Sequence, residues 1–282
     1  MTQGAFACLS NAWLPGWLSG GTYSGAGKYF CVPGLSCYSC PGALGACPLG
    51  AFQAVIGSRQ FQFSFYIIGW LSLIGAAAGR YVCGWICPFG LVQDLLNKIP
   101  AIKKMRALPG EKWLRRLRWV VLAGLVCLAP LFLLDPIGQG QPAFCKWLCP
   151  SGALMAGWPL ALLNQAVRQA LGWLFAWKSG FLITLLGLAI FLYRPFCRYL
   201  CPLGLIYGFF NRYALLRHVH APEECRACDA CQAACPLSIA VRQKPNSPDC
   251  IRCGRCLTAC PTNALKLIRP GAQMVSRRRS TD

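Results

Sequence analysis

The chain has 282 residues, of which 56% are hydrophobic, and a mean hydropathy of +0.45, which is too apolar for an ordinary soluble protein and predicts membrane spans. Its formal net charge is +20, from 28 Lys and Arg against 8 Asp and Glu. Because the sequence shows no module of interleaved basic and aromatic residues, this charge indicates an anionic lipid surface and argues against nucleic-acid binding.

Residues 1–60 form a first predicted segment that is rich in cysteine, Gly and Pro. Its first 20 residues contain no Lys or Arg, so we expect no signal peptide. Its clustered cysteines are Cys31, Cys37, Cys40 and Cys47. Two interpretations stay open for them. They form disulfides if they lie outside the cell, or they hold an iron–sulfur cluster, alone or together with Cys145 and Cys149, if the membrane shields them.

Residues 61–215 are predicted to form a mainly α-helical integral membrane domain with three to four transmembrane helices. The apolar stretches that qualify as spans are Phe61–Gly79, Trp119–Leu134 and Gly172–Tyr193. A shorter stretch, Gly152–Leu163, contains Pro159, which predicts an interruption. We interpret it as an interfacial or re-entrant segment, with a buried core helix as the alternative.

The distribution of Lys and Arg predicts how these spans are oriented. Basic residues concentrate in residues 80–118 and 194–282, which places both segments in the cytoplasm. Residues 1–60 and 135–171 contain few basic residues, so they are expected on the opposite face of the membrane. We therefore expect a multi-pass protein of the cell inner membrane. A fourth crossing would change this arrangement.

A cysteine pair with the spacing Cys-x3-Cys-Pro-x-Gly follows each predicted span. The pairs are Cys83 and Cys87, Cys145 and Cys149, and Cys197 and Cys201, and Cys47-Pro48-Leu49-Gly50 is a degenerate copy. Proline after the second cysteine predicts a short helix that starts there. One pair cannot complete a four-coordinate cubane, but two can. The predicted orientation puts the first and last pairs on the same side, which favours a third cluster there. Structural thiols or a dithiol switch are the alternative.

Residues 216–268 contain two cysteine runs of identical spacing and are predicted to form an α+β ferredoxin-like domain with two clusters. The runs are Cys225-x2-Cys228-x2-Cys231-x3-Cys235-Pro236 and Cys250-x2-Cys253-x2-Cys256-x3-Cys260-Pro261. In this bacterial pattern the fourth cysteine of one run ligates the cluster of the other. The first [4Fe–4S] cluster is thus assigned to Cys225, Cys228, Cys231 and Cys260, and the second to Cys250, Cys253, Cys256 and Cys235. Zinc sites favour two cysteines per run, often with histidine, so zinc knuckles fit less well. Residues 269–282 form a basic tail.

The spans, the paired cysteines and the terminal ferredoxin runs together resemble the NapH/MauN-type membrane ferredoxins, and they are similar to the membrane region of the NosR-type proteins. The resemblance covers roughly residues 61–265. It implies a cytoplasmic ferredoxin domain and transfer of electrons from quinol towards periplasmic or other redox partners. The sequence departs from the pattern at Cys145 and Cys149 and in the cysteine-rich stretch 31–47.

The sequence shows no dinucleotide fingerprint and no acid–base or Ser-His-Asp constellation. We therefore expect an electron-transfer subunit of a quinol-dehydrogenase-like oxidoreductase that works with a lipid membrane, a quinone and a partner redox protein. A stand-alone metal or thiol reductase and a membrane redox sensor or assembly protein are the alternatives. His218 and His220 are expected in a surface turn. Asp94 and Asp135 are expected near the membrane faces, where a proton path or simple solvation would explain them.

Overall fold

The computed structural model describes residues 2–58, 65–100, 104–136 and 138–268. The start of the first predicted span, residues 61–64, lies outside the described residues. So does the predicted basic tail, residues 269–282.

Helices make up most of the described chain. The N-terminal segment contains α1 (Thr2–Ser10), α2 (Leu14–Ser19), a 3-10 turn (Ala26–Tyr29) and α3 (Pro48–Gly57). The central region contains α4 (Phe65–Ala78), α5 (Tyr81–Trp85), α6 (Pro88–Lys98), α7 (Glu111–Val120), α8 (Ala129–Phe132), α9 (Pro150–Gly152), α10 (Trp158–Leu163), α11 (Gln165–Gln169), α12 (Trp173–Phe191), α13 (Pro195–Tyr199) and α14 (Pro202–Phe210). A 3-10 turn (Pro222–Glu224) and the short helices α15 (Ala230–Ala233) and α16 (Arg255–Thr258) follow.

Two proline-containing helices are continuous because wider π-helical turns precede the proline. The stretch Val121–Leu128 joins α7 to α8, which contains Pro130. The stretch Ala153–Gly157 joins α9 to α10, which contains Pro159. A π-turn makes room for the proline ring and tolerates its missing N–H group. The interruption predicted at Pro159 is therefore wrong.

One described helix, α12, is long and apolar enough by itself to cross a membrane, and it coincides with the predicted span Gly172–Tyr193. Helix α4 covers the described part of the span predicted at Phe61–Gly79. The span predicted at Trp119–Leu134 falls on the continuous helix through α7 and α8. Membrane crossing by each of the four apolar stretches thus stays a prediction.

The C-terminal region combines short helices with a two-stranded antiparallel sheet. Strand β1 (Arg217–His220) pairs with β2 (Leu265–Ile268), with Arg217 opposite Ile268 and His220 opposite Leu265. The surface turn expected at His218 is wrong, because this residue lies within β1 and is only 2% exposed. Its backbone is fixed by Asn246, whose side chain accepts from the N–H of His218 at 3.0 Å and donates to its carbonyl at 2.8 Å.

The largest buried side chains collect around the ends of the helices that carry the cysteine pairs. Phe89 and Phe196 are both buried and meet edge to face, with ring centroids 5.3 Å apart. Phe144 and Leu182 are buried in the same core, which continues through Tyr207. The cysteine pairs therefore lie inside the hydrophobic core rather than on its surface.

Candidate metal centres

The first ferredoxin run lies beside the last cysteine of the second run. Cys231 interacts electrostatically with Cys225 and Cys260, and Cys228 is exposed. Hydrogen bonds from Thr262 and from nearby backbone N–H groups outweigh the slight burial of Cys260 and lower the pKa of its thiol. The structure thus brings Cys225, Cys231 and Cys260 together, and their assignment with Cys228 to one cluster stays a prediction.

The second run lies around its own cavity. Burial, reinforced by the neighbouring thiols of Cys250, Cys253 and Cys235, raises the pKa of Cys256 to about 12. All four thiols line one small cavity, and His218 lines it as well. Neither ring nitrogen of His218 has a partner at hydrogen-bond distance and angle in the described part of the chain, although the backbone of Pro245 interacts with the ring. Burial and the nearby Arg252 lower the pKa of this ring to about 4, so it is neutral near pH 7.

The two runs repeat each other in backbone conformation as well as in spacing. Left-handed residues follow the first and second cysteines at the same offsets, Ala227 and Asp229 in one run and Arg252 and Gly254 in the other. Such residues reverse the chain within a single turn. Each loop therefore curls around one point and directs its backbone N–H groups towards it, which suits a bound anion.

The first and last cysteine pairs form a second kind of site, at the ends of α5 and α13. Cys201 lies within electrostatic range of Cys197, Cys83 and Cys87, and all four thiols are buried. They line a single cavity that contains about 340 Å³ of space not filled by atoms. This group, Cys83, Cys87, Cys197 and Cys201, is called the inner site below.

Each Cys-Pro-x-Gly motif starts a helix, and at one of them the cap is a sulfur atom. Cys201 precedes α14, and its Sγ accepts a hydrogen bond from the N–H of Gly204 at 3.3 Å. Cys87 and Cys47 precede α6 and α3 without a side-chain cap hydrogen bond, but their thiols interact with the N–H groups of Gly90 and Gly50. The N-terminus of each helix therefore faces a sulfur atom, where its dipole favours the thiolate.

Two buried arginines, Arg80 and Arg194, cross-link the two halves of the inner site. Each lies three residues before the first cysteine of its pair and donates to the backbone carbonyl of the opposite pair. Arg80 donates to Cys197 at 3.1 Å, and Arg194 donates to Cys83. Arg80 is 2% exposed and Arg194 is 1% exposed. Asp94, expected to be a membrane-face acid, instead forms an ion pair with Arg194. The sequence analysis missed this role, although the repeated Arg-x2-Cys spacing signals it.

The N-terminal segment and the middle pair contribute a third group of thiols. Cys149 lies within electrostatic range of Cys145, Cys37 and Cys47. Cys40 interacts with Cys37 of this group and with Lys28. None of the 20 cysteines, all within the described ranges, forms a disulfide. The group Cys37, Cys47, Cys145 and Cys149 is called the outer site below.

One buried loop contacts both sites. The N–H of Leu35 interacts with the thiol of Cys87, and the carbonyl of Leu35 accepts a hydrogen bond from the hydroxyl of Ser151 at 3.1 Å. Ser151 follows Cys149 by two residues. The predicted topology put these two cysteine sets on opposite faces of a membrane, whereas the structure separates them only by this loop.

The donor sets fit 4Fe–4S clusters better than single ions. No three His, Cys, Asp or Glu side chains converge on a single-ion site in the ranges that the structure describes. A cubane carries one thiolate on each iron corner, so its ligands stand around the cluster rather than meet at one point. The four buried thiols around the inner cavity and the four around the ferredoxin cavity match that requirement.

Comparison with known proteins agrees with this chemistry. A family model described as a 4Fe–4S binding domain matches residues 45–66, 61–118, 115–162 and 171–221, which is more than half of the chain. A second 4Fe–4S binding domain model matches residues 245–266. No solved structure matches the chain.

Several curated proteins are similar to the chain. It is 30% identical over 196 residues to the methylamine utilization ferredoxin-type protein MauN of Methylorubrum extorquens, covering 68% of this chain and 55% of that protein. It is 31% identical over 174 residues to an uncharacterized protein of Methanocaldococcus jannaschii, covering 59% and 55%. It is 26% identical over 247 residues to the ferredoxin-type protein NapH of Haemophilus influenzae, covering 83% and 71%. The chain spans little more than half the length of the first two of these relatives.

Proposed function

Since the chain belongs to the NapH/MauN-type family of ferredoxin-type 4Fe–4S proteins, we propose that it is a membrane-bound electron-transfer protein. It passes electrons between the quinone pool, or a membrane partner, and a redox partner protein. The observation that carries this proposal is the direct contact between the second ferredoxin run and the helix that bears Cys83.

That contact consists of hydrogen bonds on both sides of the cysteines. The indole N–H of Trp85 donates to the carbonyl of Arg252 at 2.9 Å. The guanidinium of Arg252 donates to the carbonyls of Ala78 at 2.8 Å and Asn211 at 2.6 Å. Trp85 lies two residues after Cys83, and Arg252 lies between Cys250 and Cys253. The inner site and the second ferredoxin site are therefore immediate neighbours, which supports transfer between them.

The proposed ligands are the exchanged sets of the two ferredoxin runs together with the inner site. Bound 4Fe–4S clusters supply one-electron transfer and need no acid–base group from the protein. The chain itself excludes water from the buried thiols and holds Arg80 and Arg194 beside them. Positive charge and N–H donors near thiolates favour the more reduced, more negative state.

Exposed apolar side chains support a membrane location. Only 17% of the apolar part of α12 is buried within the protein, so this helix is not a core helix of a soluble domain. Trp173 and Ile183 on this helix are exposed, and so is Phe132 at the end of α8. Exposed apolar helix surface of this kind is matched by lipid. We propose three to four crossings in the inner membrane, with the basic ferredoxin side in the cytoplasm.

An open apolar cleft next to the middle cysteine pair is the proposed quinone site. It lies along the helix that starts after Cys149 and has a volume of about 360 Å³. Its lining consists of Trp17, Leu154, Trp158, Pro159, Leu162 and Leu163. Flat aromatic and branched aliphatic side chains suit a quinone ring and its isoprenoid tail.

The test uses the full chain, purified anaerobically in detergent and reconstituted with iron and sulfide. Two ferredoxin clusters alone would give about eight iron atoms per chain, and we expect clearly more. Cys197→Ala is expected to lose about four iron atoms while the ferredoxin EPR signals remain. The matched control is Cys127→Ala, because Cys127 belongs to no cysteine pair. A water-soluble quinol is expected to reduce the wild type and the control at equal rates, and Cys197→Ala at least tenfold more slowly.

Other outcomes would favour the alternative functions. An iron content of about eight, with rapid alkylation of the inner thiols in the loaded protein, would indicate a dithiol reductase. Complete iron loading without reduction by quinol within seconds would indicate a sensor or an assembly protein. Either result would overturn the proposed function.

A further inference from the structure

The sequence leaves open which four of the six cysteines in residues 31–47 and 145–149 act together. The structure gathers Cys37, Cys47, Cys145 and Cys149 at the outer site. A Cβ atom on Gly152 would lie 3.8 Å from the Sγ of Cys37 and 3.9 Å from that of Cys149. A Cβ atom on Gly50 would lie 3.8 Å from the Sγ of Cys145. Thiols from three separate segments thus face the same two glycine-lined helix starts.

The outer site repeats the inner site through a buried glutamine. Gln93 follows Cys87 by six residues. Its Nε2 donates to the Sγ of Cys197 at 3.2 Å, and its Oε1 accepts from the N–H of Phe196 at 3.2 Å. The glutamine therefore connects one helix start to the cysteine pair of another segment.

Gln53 stands at the same place in the outer site. It follows Cys47 by six residues. It donates to the Sγ of Cys145 at 3.3 Å and accepts from the N–H of Phe144 at 3.0 Å. Both glutamines also donate to the carbonyl four residues earlier. In this repeat Cys47 corresponds to Cys87, and the middle pair corresponds to the last pair.

Contact with the other thiols, and not burial, distinguishes the four outer-site thiols from Cys31 and Cys40, which are both buried. Lys178 donates to the carbonyl of Cys145 at 3.1 Å and lies within electrostatic range of Cys37. It supplies the positive charge that Arg80 and Arg194 supply at the inner site. Cys31 instead lies in the backbone pairing with Ala46, and its pKa is affected by burial alone.

We propose that Cys37, Cys47, Cys145 and Cys149 bind a further 4Fe–4S cluster, and that Cys31 and Cys40 are not ligands. This proposal deepens the proposed function and rests on it. The loop at Leu35 makes the outer site the neighbour of the inner site. Tyr207 is fully buried beside the same loop and donates to the carbonyl of Pro33 at 3.0 Å. The neighbouring thiol sites therefore form a series that runs from the ferredoxin domain, through the inner site and the outer site, to the helix that lines the apolar cleft.

The experiment compares two double variants of the full chain, reconstituted with iron and sulfide. Cys145→Ala/Cys149→Ala is expected to lose about four iron atoms and one reduced-state EPR signal. Cys31→Ala/Cys40→Ala, from the same part of the fold, is expected to retain the iron content and every signal of the wild type. The ferredoxin EPR signals must persist in both variants. Their persistence separates a failure of this proposal from a failure of the proposed function.

A second pair of variants removes no thiol and so tests the proposal even if the double cysteine variants do not fold. Gln53→Leu removes one N–H donor from Cys145 but no thiol, and Gln93→Leu does the same at the inner site. Loss of a hydrogen bond to sulfur makes a cluster harder to reduce. We expect each variant to lower one midpoint potential in an EPR-monitored titration, and a different one in each case.

Three results would overturn the proposal. The first is an unchanged iron content in Cys145→Ala/Cys149→Ala. The second is a loss of iron in Cys31→Ala/Cys40→Ala equal to the loss in the other double variant. The third is a Gln53→Leu variant whose midpoint potentials all equal those of the wild type.

Discussion

At the scale of single residues, the buried arginines of the inner site require an anion. Burying an unpaired guanidinium is costly, so such groups are found paired. Arg194 has Asp94, but Arg80 lies 3.9 Å from Asp249, and its Nε has no hydrogen-bond partner among the described residues. Arg80 also interacts with the thiols of Cys83, Cys197 and Cys201. We therefore expect the thiolates of a bound cluster to balance the positive charge of Arg80.

Replacing Arg80 tests this role. Arg80→Gln keeps a donor but removes the positive charge. The inner-site cluster should then become harder to reduce, on the order of 1–3 kcal/mol for one charge in a partly buried site. The measurement is a redox titration followed by EPR. Arg242→Gln is the matched control, because Arg242 forms an exposed ion pair with Asp229. An unchanged set of potentials in Arg80→Gln would contradict the expectation.

His218 leads to a second prediction at this scale. Its ring lines the cavity of the second ferredoxin site. The backbone of Pro245 interacts with the ring, but neither ring nitrogen has a partner at hydrogen-bond distance and angle in the described chain. A buried N–H group is normally satisfied, and a cluster sulfur is the acceptor that this cavity would supply. His218→Leu should lower the midpoint potential of that cluster alone. His220→Leu, in the same strand, is the control, and equal shifts in both variants would argue against a specific hydrogen bond.

At the scale of secondary-structure elements, the four Cys-Pro-x-Gly helix starts share a motif but differ in the space around the glycine. A Cβ atom on Gly90 would lie 3.1 Å from the carbonyl of Cys83 and 3.2 Å from Arg194. A Cβ atom on Gly50 would meet nothing closer than 3.8 Å. The glycine is therefore required by packing at the inner site and not by the helix start itself.

This difference predicts opposite effects of the same substitution. Gly90→Ala should destabilise the protein by about 1–3 kcal/mol, because the added methyl group overpacks the backbone beside Cys83. Gly50→Ala should be neutral or stabilising by up to about 1 kcal/mol, since alanine favours a helix more than glycine does. Thermal unfolding of the reconstituted proteins in detergent measures both. Equal destabilisation by the two substitutions would show that the motif needs glycine for another reason.

Individual elements also show which features of the fold and of the sites could be predicted from the sequence and which could not. Spacing alone predicts the exchanged ferredoxin ligands. The meeting of Cys83 with Cys197 is predicted from the distribution of Lys and Arg, which puts both pairs on the same side of the membrane. Spacing does not separate Cys37 from Cys40, since that choice depends on how a loop folds against a helix far along the chain. The burial of His218 depends likewise on the partner strand β2 and on Asn246. The continuous helix at Pro159 depends on a π-turn that has no simple sequence signal.

At the scale of the whole molecule, one carboxylate joins the ferredoxin domain to the helical domain. Asp249 lies next to Cys250 and forms ion pairs with Arg115 and, at 2.6 Å, with Arg118, both on α7. Glu111 on the same helix pairs with Arg115 and with Arg198 of α13. These pairs hold the second ferredoxin site beside the inner site, so the proposed electron transfer depends on them.

The acids of this interface also predict how docking depends on pH. Burial opposes ionisation of Glu111, but hydrogen bonds from Arg115 and Arg198 outweigh it and lower the pKa of the carboxyl. A lowered pKa in the folded state contributes stability above the unfolded value of about 4.3 and loses it as the pH falls through the folded value. Docking should therefore be constant from pH 6 to 8 and weaken only below about pH 4.

Asp249→Asn tests the same interface at neutral pH. It keeps the shape of the side chain but leaves Arg80, Arg115 and Arg118 without their shared carboxylate, a change that typically costs about 3–5 kcal/mol for a buried ion pair. We expect the ferredoxin domain to undock, which limited proteolysis near residues 212–217 would detect as faster cleavage. The iron content should stay near the wild-type value, because no thiol is removed, while reduction by quinol should slow. Asp229→Asn is the matched control, since Asp229 and Arg242 are 65% and 38% exposed and an exposed pair contributes little. Equal cleavage rates in the two variants would show that apolar contacts and backbone hydrogen bonds, rather than Asp249, hold the two domains together.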